Sequence, residues 1–348
     1  EKKYYVLERK GLCEYEFSNL TEALAIAREI PKKTHLLYIV SPKRFIMKAT
    51  FKLKSIMPQS HPDIQPGLVK IELPIDTEYQ KLISIKSSPA HIRLVKNGRY
   101  NFAVYDFSGG FPETLNMDID VDFKIIQARP SGLKTYTTND SEPGYFANSK
   151  NDRYDLDNPI LINKVKEITA GANTVVEKVM AIQKWISTKF IYITKLPQYK
   201  NYNENTMPYA EYLKFYAEKN KFKSASELLK RGYGDCTAFS VLFVAMCRIL
   251  KVPARVIGGV DCGFAEYQKG RALAHDVAEI FDSNRNQWVY VEPQLYYPFG
   301  ISSHSHVIFN THLEKYEGKY YYSDRIPCLQ FCYLKNFGHV GYEVILKQ

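Results

Sequence analysis

The feature that most constrains this chain is an apolar run in its second half. Residues 236–250, CTAFSVLFVAMCRIL, carry one charged side chain, Arg248. The run is too long for an ordinary strand and too apolar for a helix lying on a surface, so it predicts a buried helix. Gly232 and Gly234 supply turn chemistry ahead of it, and Asp235 is a favoured N-cap residue. Pro253 stops the run, and residues 254–260 read as a strand.

Cys236 is the reactive side chain at the head of that helix. In a first helical turn, unpaired backbone N–H groups and the positive end of the helix dipole favour a thiolate. The same N–H groups suit an oxyanion. A nucleophilic thiol also needs a proton acceptor. His275 opens an alternating stretch, residues 275–281, followed by a polar turn at 282–286. A second strand at 287–291 ends at Glu292-Pro293. In an antiparallel hairpin the start of one strand lies beside the end of the next, so His275 and Glu292 are expected to be neighbours. Asp276 should point to the opposite sheet face and Glu279 lies two pairs along, so both are worse placed to serve the imidazole. Glu279 is expected to support the hairpin or the cleft.

These blocks resemble the transglutaminase-like superfamily, whose catalytic fold is papain-like. The matching residues are Gly234-Asp235-Cys236, the segment LKVPARVIGG at 250–259, His275 with Glu279, and Trp288 leading to Glu292-Pro293. The resemblance implies Cys236 as nucleophile, His275 as base and acid, and Glu292 as the residue orienting the imidazole. It spans about residues 160–295 and departs from the family at two points. Glu292 stands where the family usually has Asp, and Val277 where an aromatic residue is common. Tyr233, Asp235, Trp185 and Glu279 are further cleft candidates, and Tyr233 and Trp185 are candidate donors to the oxyanion beside the Cys236 N–H. The implied chemistry is attack on an amide carbonyl, leaving a thioester that passes to water or to an amine. Bacterial relatives favour hydrolysis of peptides, proteins or peptidoglycan peptides. A cross-linking transglutaminase is one alternative and a catalytically inactive papain-like scaffold is another. No cofactor is implied, and no acidic loop suggests a calcium site.

Composition narrows the remaining classes. At 348 residues the chain has room for two or three domains. With 45% hydrophobic and 24% charged residues and no apolar run of membrane-spanning length, it reads as globular, without a transmembrane helix. The net charge of +10 comes from Lys and Arg spread along the chain rather than from a basic block interleaved with aromatics, so a nucleic-acid partner is not expected. The 27 tyrosines should mostly line strands and clefts, with some available for a carbohydrate- or peptide-binding surface. Six cysteines (Cys13, Cys236, Cys247, Cys262, Cys328, Cys332) are too few for a disulfide scaffold, and Cys247 reads as core. Cys328 and Cys332 lack the second cluster that zinc needs, and His304, His306 and His312 near Asn310 read as structural or surface residues rather than ligands. The chain begins at Glu1; with the resemblance, this fits a secreted, periplasmic or envelope protein whose leader has been removed.

The predicted class is α+β. Residues 1–46 read as a small α/β segment, with strands at 4–9 and 36–40 and a helix capped by Asn19 or Thr21 and stopped by Pro31. Residues 47–130 alternate short strands with turns (48–56, 68–73, 81–85, 91–95, 100–105 and 118–126), the pattern of a β-sandwich. Residues 131–159 are rich in turn formers and read as a linker. The catalytic domain then runs over 160–348. Helices are expected at 160–169, at 174–189 and, from a Ser224–Glu227 capping pattern, at 224–229. The tyrosine-rich stretch 196–223 is a candidate lid, and strands after Pro293, at 319–323 and 342–346, are expected to extend the catalytic sheet.

Overall fold

The computed structural model describes residues 67–77, 80–110, 112, 115–123, 132–135, 153–197, 224–261 and 273–294, together with the backbone of several further strands. Nearest the N-terminus, β1 (Tyr4–Glu8), β2 (Glu14–Phe17) and β3 (His35–Ile39) form an antiparallel sheet in the order β2-β1-β3. The helix expected between Asn19 and Pro31 lies outside the described residues, as does the tyrosine-rich stretch beyond residue 197.

The alternating segment becomes β4 (Arg44–Thr50), β5 (Leu68–Leu73), β6 (Gln80–Ser88), β7 (Arg93–Asn97), β8 (Tyr100–Asp106) and β9 (Asn116–Phe123). β4 therefore crosses the boundary expected at residue 46. In β9, Met117, Ile119 and Val121 are buried, which is the period of two that a strand with one core face requires. β8 lies between β5 and β7 and is buried on both faces from Asn101 to Tyr105.

The loop after β5 is braced from several sides. Asn101 Nδ2 donates to the Pro74 carbonyl at 2.8 Å and Gln80 Nε2 to the Ile75 carbonyl at 2.7 Å. Asp76 pairs with Lys96 and accepts from Leu82 N–H at 3.1 Å. So held, Ile75 packs with Ile257, Val277 and Tyr290 of the catalytic sheet. These contacts lie on the same sheet face as His275, two residues before Val277.

The catalytic segment opens with α1 (Pro159–Thr169), capped by Asn158, whose side chain accepts from Ile160 N–H at 3.0 Å. α2 (Val175–Lys189) begins with a Thr174–Glu177 capping box and α3 (Ala225–Arg231) with a Ser224–Glu227 box. Gly232 ends α3 at φ +74, a left-handed conformation that favours glycine. The two-residue strands β10 (Ile191–Tyr192) and β11 (Tyr233–Gly234) pair in parallel, and α4 (Cys236–Ile249) follows. All residues of α4 from Ala238 to Arg248 are buried, so the apolar run is a central helix. Its one charge is accommodated: Arg248 Nε donates to the Ala254 carbonyl at 2.9 Å and the guanidinium lies 4.5 Å from the Tyr154 ring centre.

α4 rests on an antiparallel sheet of β12 (Ala254–Asp261), β13 (Leu273–Asp282), β14 (Gln287–Val291) and β15 (His306–Thr311), in the order β14-β13-β12-β15. Ala254, Val256, Ala278, Ile280, Val289 and Val291 form the face that meets the helices. β15, at residues where no strand was expected, extends this sheet. The later strands do not. β16 (Cys328–Leu329) pairs with β5 and β17 (Gly341–Lys347) pairs with β4, so the two remaining sheets run β16-β5-β8-β7 and β17-β4-β9-β6. A strand's alternation marks its existence but not its partner, and β4 offers β17 an open edge. The strand expected at 319–323 lies outside the described residues.

Candidate active site

Cys236 is the first residue of α4 and is half-buried. Two residues set its place. Asp235 caps the helix, its Oδ1 accepting from Ala238 N–H at 3.0 Å. Gly234 allows the turn to press against the helix, since a Cβ there would lie 2.2 Å from Ala238 Cβ. Asp235, expected near the cleft, is thus engaged in capping.

His275 and Glu292 meet as the hairpin predicts. Ala278 pairs with Val291, which sets Glu292 across from Val277 and diagonal to His275 on one face. His275 Nε2 and Glu292 Oε2 are 2.5 Å apart, with both side chains about nine-tenths buried. The Cys236 thiol hydrogen-bonds the same imidazole. The carboxylate's longer reach, one methylene more than Asp, is therefore enough to contact the ring. Glu292 is itself held: Oε1 accepts from Gln294 N–H at 3.1 Å, and its carbonyl accepts from Gln183 Nε2 of α2 at 3.2 Å. The Gln294 side-chain amide lies 3.5 Å from His275 Nε2.

Electrostatics treats the two reacting groups oppositely. Burial pushes the Cys236 thiol up; the hydrogen bond from His275 works against this, and the Asp276 and Asp235 charges add to it. The helix-dipole expectation of a thiolate-favouring site is thus opposed by burial and by two carboxylates. Burial works against a charged His275, but the Glu292 charge and the hydrogen bonds to Cys236 and Glu292 outweigh it and raise the imidazole well above its ordinary value. The ring is built to hold a proton.

The other expected residues have partners of their own. Glu279, wholly buried, accepts from Arg255 Nε at 2.6 Å, and that guanidinium lies 3.8 Å from the Trp288 ring centre. This buried ion pair ties β12 to β13. Trp185 packs at the edge of the helical core with the Lys164 ammonium 5.7 Å from its ring centre. Tyr233 stacks under Arg231, 3.9 Å from its ring centre. Gln183 and Thr237 carry no signal in the sequence, because their contacts join segments 109 and 39 positions apart. His304 and His312 lie outside the described residues, and of His306 only the backbone is described. Among the described residues no group of three His, Cys, Asp or Glu side chains is placed to hold a metal ion, and no helix is long and apolar enough to cross a membrane.

A cysteine heading a central helix, facing a histidine and a carboxylate on the adjacent hairpin, defines a papain-like core. Residues 162–293 match the family model of the transglutaminase-like superfamily, and this segment is a transglutaminase-like domain. Among solved structures, a candidate cysteine protease from Cytophaga hutchinsonii shares 14% identity at a TM-score of 0.52, covering 89% of each chain. At that identity the likeness is one of fold. The periplasmic domain of TgpA from Pseudomonas aeruginosa bound to ethylmercury shares 10% identity over 74% of this chain and 91% of that one, at a TM-score of 0.32. No curated protein matches the chain.

Proposed function

We propose that this chain is a cysteine-dependent acyl-transfer enzyme that hydrolyses amide bonds of peptides, using Cys236, His275 and Glu292. The observation that carries this reading is one imidazole bonded at once to the Cys236 thiol and, at 2.5 Å, to the Glu292 carboxylate. In its neutral form His275 takes the thiol proton as the sulfur attacks the carbonyl carbon, and Glu292 stabilises the resulting imidazolium. The oxyanion meets the N–H groups at the head of α4. The imidazolium then protonates the leaving amine, and water, deprotonated by His275, resolves the thioester. Peptides of the cell envelope as substrates, and an exported location, belong to this proposal on the resemblance alone.

The test is incubation with a peptide library, comparing the native chain with Cys236→Ala. Loss of amine release in the variant supports the proposal. Absence of release by the native chain, with ordinary thiol behaviour at Cys236, supports the scaffold alternative. Incorporation of an added amine in place of hydrolysis identifies a transferase.

A further inference from the structure

We propose that Asp276 is a positioning residue for the Cys236–His275 pair, tying the first turn of the nucleophile's helix to the strand that carries the base. The proposal rests on the reading of Cys236 as nucleophile and deepens it. Asp276 directly follows His275 on β13, so its side chain lies on the other sheet face. That face belongs to α4: Ala278 and Ile280, two and four residues along, sit in the helix-packing core. There Asp276 Oδ2 accepts from the hydroxyl of Thr237, the residue after Cys236, at 2.5 Å. The Asp276 carbonyl also accepts from Ser240 Oγ, one turn along the helix, at 3.0 Å.

One strand residue thus grips α4 at two points. Its covalent neighbour is the base, and the residue beside its grip is the nucleophile. Fixing Thr237 on Asp276 fixes the separation of sulfur and imidazole, which attack geometry requires to well within an ångström or so. The charge has a cost. A carboxylate near a sulfur opposes the thiolate, and Asp276 does push the Cys236 thiol up. A group that hinders ionisation yet bonds the helix beside the nucleophile serves through geometry. The other groups acting on Cys236 are His275 on the same strand and Asp235 at the cap, with Glu292 bonded to the imidazole.

The experiment is iodoacetamide alkylation of Cys236 across pH, read on the Cys236 peptide by mass spectrometry, with peptide turnover alongside. Thr237→Ser keeps the hydroxyl and should superimpose on the native profile. Asp276→Asn keeps an acceptor oxygen but not the charge, and should move the profile to lower pH by about half a unit to one unit. Thr237→Val cuts the tether, and should slow neutral-pH alkylation and lower kcat about 10- to 100-fold with KM unchanged. Thr237→Ala tests the same contact should the valine variant fail to fold, and thermal midpoints keep every rate below unfolding. A Thr237→Val profile that superimposes on the native one overturns the proposal, as does Asp276→Asn slowing alkylation as Thr237→Val does. If the native chain turns over no peptide, the enzymatic reading falls, while the alkylation profiles still judge the tether.

Discussion

Replacing Glu292 with Gln keeps the side chain's length and removes the charge that holds a proton on His275. The contact is 2.5 Å and largely shielded from water. Hydrogen bonds to charged groups are worth about 1.5–3 kcal/mol, and one pKa unit is about 1.4 kcal/mol, so the substitution should lower the His275 pKa by about one to two units. Burial then acts on the ring with less opposition. In the native chain the folded value lies above the unfolded value of 6.5. The folded chain therefore binds this proton more tightly than the unfolded one. The resulting stability is fully present below about pH 6.5 and is lost as pH rises through the raised folded value. Urea unfolding of the native chain should lose about 1.4 kcal/mol for each unit of that shift, and the Gln variant should lose less over the same window. The assay is the titration of the His275 Cε1–H resonance in histidine-labelled protein, with stability curves beside it. An unchanged His275 pKa in the variant, or a native value at or below 6.5, would refute the assignment of Glu292 as the charge behind the ring. On the catalytic proposal, peptide turnover should also fall by about 10²- to 10⁴-fold.

Gly234→Ala sets a methyl 2.2 Å from Ala238 Cβ, at the turn that delivers Cys236. Thermal melts should show a loss of about 1–3 kcal/mol, and Cys236 alkylation should change with it. Glu279→Ala leaves the buried Arg255 guanidinium without its carboxylate and should cost about 3–5 kcal/mol, much of it recovered by replacing both residues with apolar ones of similar size. Burial pushes the Cys247 thiol far up, so iodoacetamide should modify Cys236 in the folded chain and reach Cys247 only after denaturation, as peptide mapping would report.

What could be read from the amino acids was local or depended on one hairpin. The start of α3 follows from Ser224 with Glu227, because capping side chains act within a few residues. The His275–Glu292 contact was readable because a short polar turn forces two adjacent strands side by side. The hold of Gln183 on the Glu292 carbonyl was not, since 109 positions separate the two. Neither was the partner of β17, whose pattern suits any open edge. The upward push on the Cys236 thiol escaped for another reason. A helix start is visible in sequence, but the depth of burial and the nearness of Asp276 arise only when the strand docks.

The pairing of β17 with β4 and of β16 with β5 means that the polypeptide leaves those two sheets after β9 and returns to them after the Cys236 module. The module is anchored at both of its ends. Two anchors permit rocking but resist the wide swing that a single connection allows. Excising the C-terminal portion would also unzip Arg44–Thr50 along one side and expose bare amide and carbonyl groups to neighbouring molecules. A fragment meant to stand alone is therefore better begun and ended within the module than cut once after residue 294.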